Sequence, residues 1–398
     1  MIGKISIAIL LLLIISLTGC WDQRDPENIA LVLVGGYDYN PETDMYKIIT
    51  QIESPLVAPE GGEGGRNDKP PYWTVSAWGY SPIDAVTNIK KKVSRRLSYS
   101  HMHLLILSET IAKEKGVVPV LDALYRTRES RPVLNIAVVS GDVEELLSTE
   151  IPIAVTNGLG LLSLINITER EIGTAVEISG REFINRLSRQ GFDPVATHLE
   201  LNKQKTDESS KENMHPPVKI AGLASFNDRF LSGFFNERET RGWKWIFGLN
   251  KIGFLNFPYP GEEIYQNLVT VKTLSVKPAL IPEIDNNQPL IKIKIEAKGR
   301  IESITGQAEI GENITDLRRM EKRLAEVIRN DINDAVTRAK ELRSDVFGFE
   351  NAFYREKYRY WEMVDNKKDL FFLEVPVEII VKTSIDSSGL VNKGAKIY

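Results

Sequence analysis

Cysteine is nearly absent from this chain. Cys20 is the one thiol in 398 residues, so no disulfide forms within the chain and a folded domain must hold through its core alone. Histidine is scarce as well, with 4. His101 and His103 flank Met102 at the start of an apolar run, which puts both rings on one face of a strand. A metal site needs a third ligand, and His198 and His215 come at no ligand spacing. An excess of one charge is also missing. The 50 Lys+Arg stand against 54 Asp+Glu, which leaves no basic surplus to displace counterions from nucleic acid. Walker loops, zinc-protease helices and nucleophile elbows do not occur. The glycines at 61–65 are followed by Pro70-Pro71 rather than by a helix carrying a Lys-Ser/Thr pair, so they are no phosphate cradle. Carboxylates are plentiful, yet spacing singles out no pair. These absences argue against an enzyme, a metalloprotein and a nucleic-acid binder. Long apolar runs are missing too. Residues 5–17 form the longest, broken only by Ser6 and Ser16, and fall short of the ~20 residues that cross a bilayer.

The end of that run is specific. Leu17-Thr18-Gly19-Cys20 closes a short apolar segment with residues of falling bulk and then a thiol. This is the arrangement of a bacterial lipoprotein. The thiol forms a thioether to diacylglycerol, the small residues suit the signal peptidase, and cleavage falls between Gly19 and Cys20. Residues 1–19 read as the signal peptide, and the mature chain would begin outside the cytoplasmic membrane with a diacylglycerol and an N-acyl chain on Cys20. Each buried methylene contributes about 0.8 kcal/mol, so two or more acyl chains hold firmly. No other cofactor is implied.

The remainder is globular, with 42% hydrophobic and 26% charged residues. Residues 28–38 read as a buried strand ended by Gly35-Gly36, and 45–53 as its partner. A strand at 72–79 is followed by Ser81-Pro82, which opens a helix with a cap and a first-turn proline. Strands at 102–107 and 133–139 then alternate with helices at 117–128 and 143–147, which predicts a sheet with parallel neighbours. Residues 156–168 and 179–189 look helical, and 194–201 extended. The wholly polar stretch 203–217, closed by Pro216-Pro217, marks the main boundary. The domain plan is therefore an α/β region at 20–202 of one or two subdomains, a linker at 203–217, and a second domain at 218–398.

That second domain has another rhythm. A hairpin turns at Asn227-Asp228, a helix spans 237–248, and strands at 268–276 and 290–304 alternate wet and dry faces, typical of an antiparallel sheet. The longest helix, 314–342, runs about 43 Å. Its stripe of Leu317, Met320, Leu324, Ile328, Ile332 and Val336 suits the dry face of a sheet, or less well a coiled-coil seam. The fold class expected is mixed α/β (α+β) and multi-domain, ending in an antiparallel sheet packed by one long helix.

Two polar clusters stand out. In Asn236-Glu237-Arg238-Glu239-Thr240-Arg241-Gly242-Trp243, Asn236 would cap a helix, Glu237 and Glu239 favour its positive end, and Arg241 would pair with Glu237. The same cluster could offer Glu237, Glu239, Arg241 and Trp243 to a protein partner, since Trp and Arg recur in binding hot spots. Arg126 and Arg131, around Glu129, read as a solvated helix end or a docking patch.

These residues also carry a resemblance. Gly19-Cys20-Trp21-Asp22 with Arg24, Ser94-Arg95-Arg96-Leu97, Arg126 with Glu129 and Arg131, the Asn236–Gly242 segment, and Phe347-Gly348-Phe349 with Trp361 occur in this order. The chain resembles the Ger(x)C family, the lipoprotein C subunits of nutrient germinant receptors in endospore-forming bacteria. Asp25-Pro26 stands where that family usually has Glu and an aliphatic residue. The resemblance implies three mixed α/β domains without catalytic activity. It also implies a place on the outer face of the spore's inner membrane and two membrane-spanning partner subunits. A solute-binding lipoprotein of an importer is the competing reading. Such proteins usually have two parallel-sheet lobes around a cleft, which the alternating strands of the second half do not favour. The N-terminal peptide from native cells should carry acyl mass on Cys20 when read by mass spectrometry; an unmodified thiol would remove the anchor.

Overall fold

A computed structural model describes residues 28–53, 72–126, 133–149, 157–201, 218–248, 252–259, 267–305, 314–363 and 368–386. Cys20, Arg131 and the stretch 203–217 lie outside them.

The first sheet is built from β1 (Ile29–Asn40), β2 (Met45–Glu53), β3 (Tyr72–Gly79), β4 (Arg96–Ser98), β5 (Leu104–Ser108), β6 (Asn135–Ser140), β7 (Val195–Leu201), β8 (Val218–Asn227) and β9 (Phe230–Phe235). Its order is β3-β2-β1-β5-β6-β7-β8-β9, with β4 beside the start of β1. The run β1-β5-β6-β7 is parallel, as strand–helix alternation requires. The alternating helices are α1 (Pro82–Lys90), α2 (Glu109–Glu114), α3 (Val118–Arg126), α4 (Val143–Ser148), α5 (Asn157–Ile167) and α6 (Gly180–Leu187). Ser81, Ser108, Asp142 and Ser179 each accept from a backbone N–H in the first turn of α1, α2, α4 and α6. Both faces of the central strands are buried, which explains why β5 reads Leu-Leu-Ile-Leu-Ser with no exposed position.

After α7 (Glu237–Phe247), the chain builds a second sheet of β10 (Phe254–Pro258), β11 (Leu268–Asp285), β12 (Gln288–Ile304) and β13 (Val377–Asp386), in that order. Its dry face is covered by α8 (Ile314–Glu341), whose Met320, Leu324, Ile328 and Ile332 are at most 2% exposed. Three short helices, α9 (Phe349–Glu356), α10 (Tyr358–Met363) and α11 (Lys368–Glu374), return the chain to β13.

Four expectations change. The hairpin β8–β9 does not begin the second sheet. β8 pairs antiparallel with β7, so the polar stretch interrupts the first sheet and does not separate the two. The second sheet is mixed: β13 lies parallel to β12, because the crossover through α8 to α11 brings it in from the same end. β1 does not stop at Gly35-Gly36. A Cβ on Gly36 would fall 2.5 Å from Val143 Cγ1, so the glycine admits α4 against the strand without ending it. Finally, β11 runs through Pro278 and Pro282 to a two-residue turn at Asn286-Asn287, both with positive φ. The prolines sit beyond the pairing of β11 with β10, on a stretch that has β12 on one side only, where a missing N–H costs no ladder bond. The two sheets thus differ in strand number and topology, unlike the paired lobes of a solute-binding protein.

Candidate functional site

The Asn236 cluster sits where β9 passes into α7. Asn236 Oδ1 accepts from Glu239 N at 2.9 Å while Glu239 Oε2 accepts from Asn236 N at 2.8 Å, a complete capping box. Helix start and strand end are therefore fixed in one step, and the arginines of the first turns take a set direction. That direction is towards Asp331, on the apolar stripe of α8, whose carboxylate has no exposure.

Arg241 reaches Asp331 with two bonds, from Nε at 2.7 Å and Nη2 at 3.0 Å, and Arg238 Nε adds a third at 3.1 Å. Trp245 Nε1 also points at the carboxylate, at 3.5 Å. Arg241 thus does not pair with Glu237 four residues back, because the buried acid offers it a bidentate partner. Glu237 pairs with Lys219 of β8 at 2.9 Å instead. Gly242 lies at the point of closest approach. A Cβ there would fall 2.0 Å from the Asp331 carbonyl oxygen, so only glycine lets α7 meet α8 at this distance.

Trp243 is not a surface anchor. It is 1% exposed, and its Nε1 donates to the Val346 carbonyl at 3.2 Å. Around it gathers a cluster that sequence reasoning missed. The Arg186 guanidinium, 4% exposed, lies over the rings of Phe192, Trp243 and Phe247 at 4.6, 5.0 and 4.8 Å and pairs with Glu182 at 2.9 Å. Lys244, fully buried, donates to the carbonyls of Glu169 and Ala175, and burial pushes its amine down to about 8. The Phe347-Gly348-Phe349 motif belongs to the same junction. Gly348 takes φ +72°, and the buried Asp345 accepts from Phe349 N and Glu350 N while Asp193 accepts from Asp345 N. Burial raises both carboxyls above their ordinary range. The signal for Asp331 was present in the sequence as an acid between Ile328 and Ile332; nothing in the local pattern marked Arg186.

Above the α7 start lies an open cleft of about 740 Å³, lined by His198, Glu200, Lys219, Phe234, Glu237 and Arg338 among others. Its floor is the His198 ring, stacked on Phe234 at 3.8 Å with Nε2 bonded to Ser140 Oγ at 2.9 Å. Burial holds the imidazole down to about 4, so it is neutral at physiological pH. His101 and His103 are exposed and precede β5 rather than lying in it. No group of three metal-ligating side chains occurs among the described residues. Arg126 ends α3 in solvent, with Nε 2.8 Å from the Asp122 carboxylate one turn back.

Two unlike sheets, joined by a capped helix whose arginines bury an acid, define a two-part α/β architecture. The comparisons give that architecture a family. Residues 22–201 match the model described as spore germination protein N-terminal domain, and residues 221–389 the model described as spore germination B3/GerAC like, C-terminal. The chain belongs to this GerAC-like spore germination family. Spore germination protein KC of Bacillus subtilis (strain 168) is 26% identical over 406 residues, covering 100% of this chain and 98% of that protein. Spore germination protein B3 of the same organism is 21% identical over 388 residues, covering 97% and 98%. The crystal structure of the GerBC protein superposes with a TM-score of 0.56 at 17% identity, over 88% of this chain and 96% of that one. At that identity the likeness establishes the fold.

Two measurements check this junction. Arg241→Ala should lower the unfolding free energy by about 3–5 kcal/mol, since it strips a fully buried carboxylate of its bidentate partner. Arg238→Ala, at a half-exposed guanidinium, should cost about 1 kcal/mol or less; urea denaturation reads both. For His198 the folded form resists protonation while the unfolded form takes a proton near 6.5, so its contribution is lost as pH falls from about 6.5 towards 4. Between neutral pH and about pH 4.5, the wild type should lose about 2–3 kcal/mol more than His198→Phe in the same titration.

Proposed function

We propose that this protein is the lipid-anchored C subunit of a nutrient germinant receptor. It sits on the outer face of the spore's inner membrane and acts without catalysis through two membrane-spanning partner subunits. The observation that carries the reading is the tandem match: both family models lie along this chain in order, 22–201 and then 221–389. The Leu-Thr-Gly-Cys segment at 17–20 supports the anchor, and no helix among the described residues is long and apolar enough to cross a membrane. Anchoring would then fall to acyl chains on Cys20, with contact to the partners made by the folded part.

Of the residues read as partner contacts, Glu237, Glu239 and Arg126 remain available as exposed or half-exposed polar groups. Arg241 and Trp243 would support that surface from beneath. Spores lacking the gene should lose their response to at least one nutrient, measured as the fall in optical density on germination. Wild type supplied in trans should restore it and Cys20→Ala should not. Normal germination of the deleted spores with every nutrient tried would overturn the reading.

A further inference from the structure

The outer strand of a sheet carries a row of unpaired N–H and C=O groups, a template for another strand. The terminal strands of the two sheets are β3, β9, β10 and β13, and three of them are blunted. On β3, Asn88 Nδ2 donates to the Trp78 carbonyl at 2.9 Å and Lys92 Nζ to the Ser76 carbonyl at 2.6 Å. On β9, Arg338 Nε donates to the Phe234 carbonyl at 3.0 Å. β10 has only 5 residues, and where β11 runs past it Pro278 and Pro282 lack N–H groups. The fourth, β13, runs for 10 residues and differs. Ile291 N donates to the Pro376 carbonyl, which sets the phase of the parallel ladder. Even-numbered residues of β13 therefore bond β12, while Ile379, Val381 and Thr383 turn N–H and C=O outward. Among the described residues no hydrogen bond reaches those outward groups; Glu321 of α8 takes only Ile385 N, at the end of the strand.

The solvent face beside this edge is basic. Register sets Lys277, Glu296 and Lys382 in one row across β11, β12 and β13, and Ser275, Lys298 and Ser384 in the next. Glu296 thus has Lys277 and Lys382 across from it, and Lys294 and Lys298 before and after it on β12. These lysines are exposed, and none is held in an ion pair among the described residues. Lys292, by contrast, has Glu283 and Glu378, and Arg300 has Glu302. One acid therefore stands among four lysines, with Asp386 beside Arg300 a row further on. Ser275, Lys298, Lys382 and Ser384 border a hollow of about 220 Å³ on this face.

We propose that the outer edge of β13 receives an extended acidic segment of a partner protein as a fifth strand of the second sheet. Main-chain bonds go to Ile379, Val381 and Thr383, and carboxylates on alternate residues stand towards Lys382 and Lys298. In strand addition of this kind the main chain gives affinity and the alternate side chains give specificity. Charge decides the occupant. A lysine on an edge repels a like-charged strand and admits an acidic one. Edge protection would account for Lys382 alone, whereas Lys294 and Lys298 sit on the inner strand β12. Pairing with the same edge of a second copy would bring two lysine-bearing faces together. The chain past Asp386 carries Lys393 and Lys396 and no acid, so it does not complement the row either. An added strand would lie about 4.8 Å from β13 and about 10 Å from β12, which puts one carboxylate opposite Lys382 and another within reach of Lys298. The receptor reading supplies partner subunits for this edge, but the contact itself does not depend on it.

The test is fluorescence anisotropy of the full chain in detergent with a labelled peptide that alternates Glu with Val. Binding is expected and should weaken as salt is added. A peptide with Gln in place of Glu should bind about tenfold more weakly, at the worth of cross-strand charge pairs. Lys298→Gln with Lys382→Gln should weaken the acidic peptide by a similar factor. Val381→Pro removes an outward N–H and no bond to β12, so it should keep a near wild-type thermal melt and lose binding. N-methylation of alternate amides in the peptide asks the same question with the protein unchanged. Methylation in one phase should abolish binding and in the other should leave it. Equal binding of the Gln peptide, or no binding of the acidic one, would overturn the proposal. So would binding that survives N-methylation in both phases, which would reduce the contact to surface charge. Germination of the deleted spores enters none of these readouts, so the receptor reading and this edge fail separately.

Discussion

Asp331 is the constraint on which the two halves depend. A carboxylate with no exposure, set in the apolar stripe of α8, would cost several kcal/mol if left alone. Its partners come from α7, and α7 is held by a capping box that begins at the residue after β9. The dependence therefore runs in one direction along the chain. The first sheet sets the end of β9, the end of β9 sets the start of α7, and the first turns of α7 set Arg238 and Arg241. Those arginines, with Gly242 against the Asp331 backbone, fix where α8 lies, and α8 covers the second sheet.

This order accounts for what could and could not be read from the sequence. Local signals were legible because they are satisfied locally. Ser81, Pro82 and Asn236 mark helix starts, Asn227-Asp228 marks a hairpin, and the Ile-Lys alternation of β12 marks a strand with one wet face. Sheet membership was not legible. The polar stretch before β8 looks the same whether the next strand starts a new sheet or pairs with β7, because pairing is decided by partners far along the chain. The Arg241 contact failed for a related reason. An intrahelical partner at Glu237 is the better guess from spacing, but a buried acid 90 residues away outweighs an exposed one four residues away. Trp243 showed the same ambiguity, since large aromatics suit an interface and a core equally well until burial is known.

The junction behind α7 adds a second layer of fixation. Arg186 from α6 sits against rings from the 192 loop and from α7, Lys244 ties α7 to carbonyls near the end of α5, and Asp345 and Asp193 gather backbone N–H groups from both halves. Nearly every polar group here is buried with its partner, so opening the junction would expose apolar rings and strand charges together. A hinge between the sheets would have to break these contacts at once. The two sheets are accordingly coupled through this junction.

That coupling gives the position of the cleft its consequence. In a loosely jointed protein, the position of one edge would say little about the rest. Here the start of β1 and the cleft above α7 stand in one frame, because β1 to β9 form a continuous sheet and β9 leads directly into the capping box. The cleft carries Glu200 at the C-terminal ends of the parallel strands. Whatever orients the start of β1 also fixes where the Glu237 and Glu239 face lies at the other end of the sheet. Holding a polar face at a set distance from the start of β1 is itself a physical task the architecture can perform.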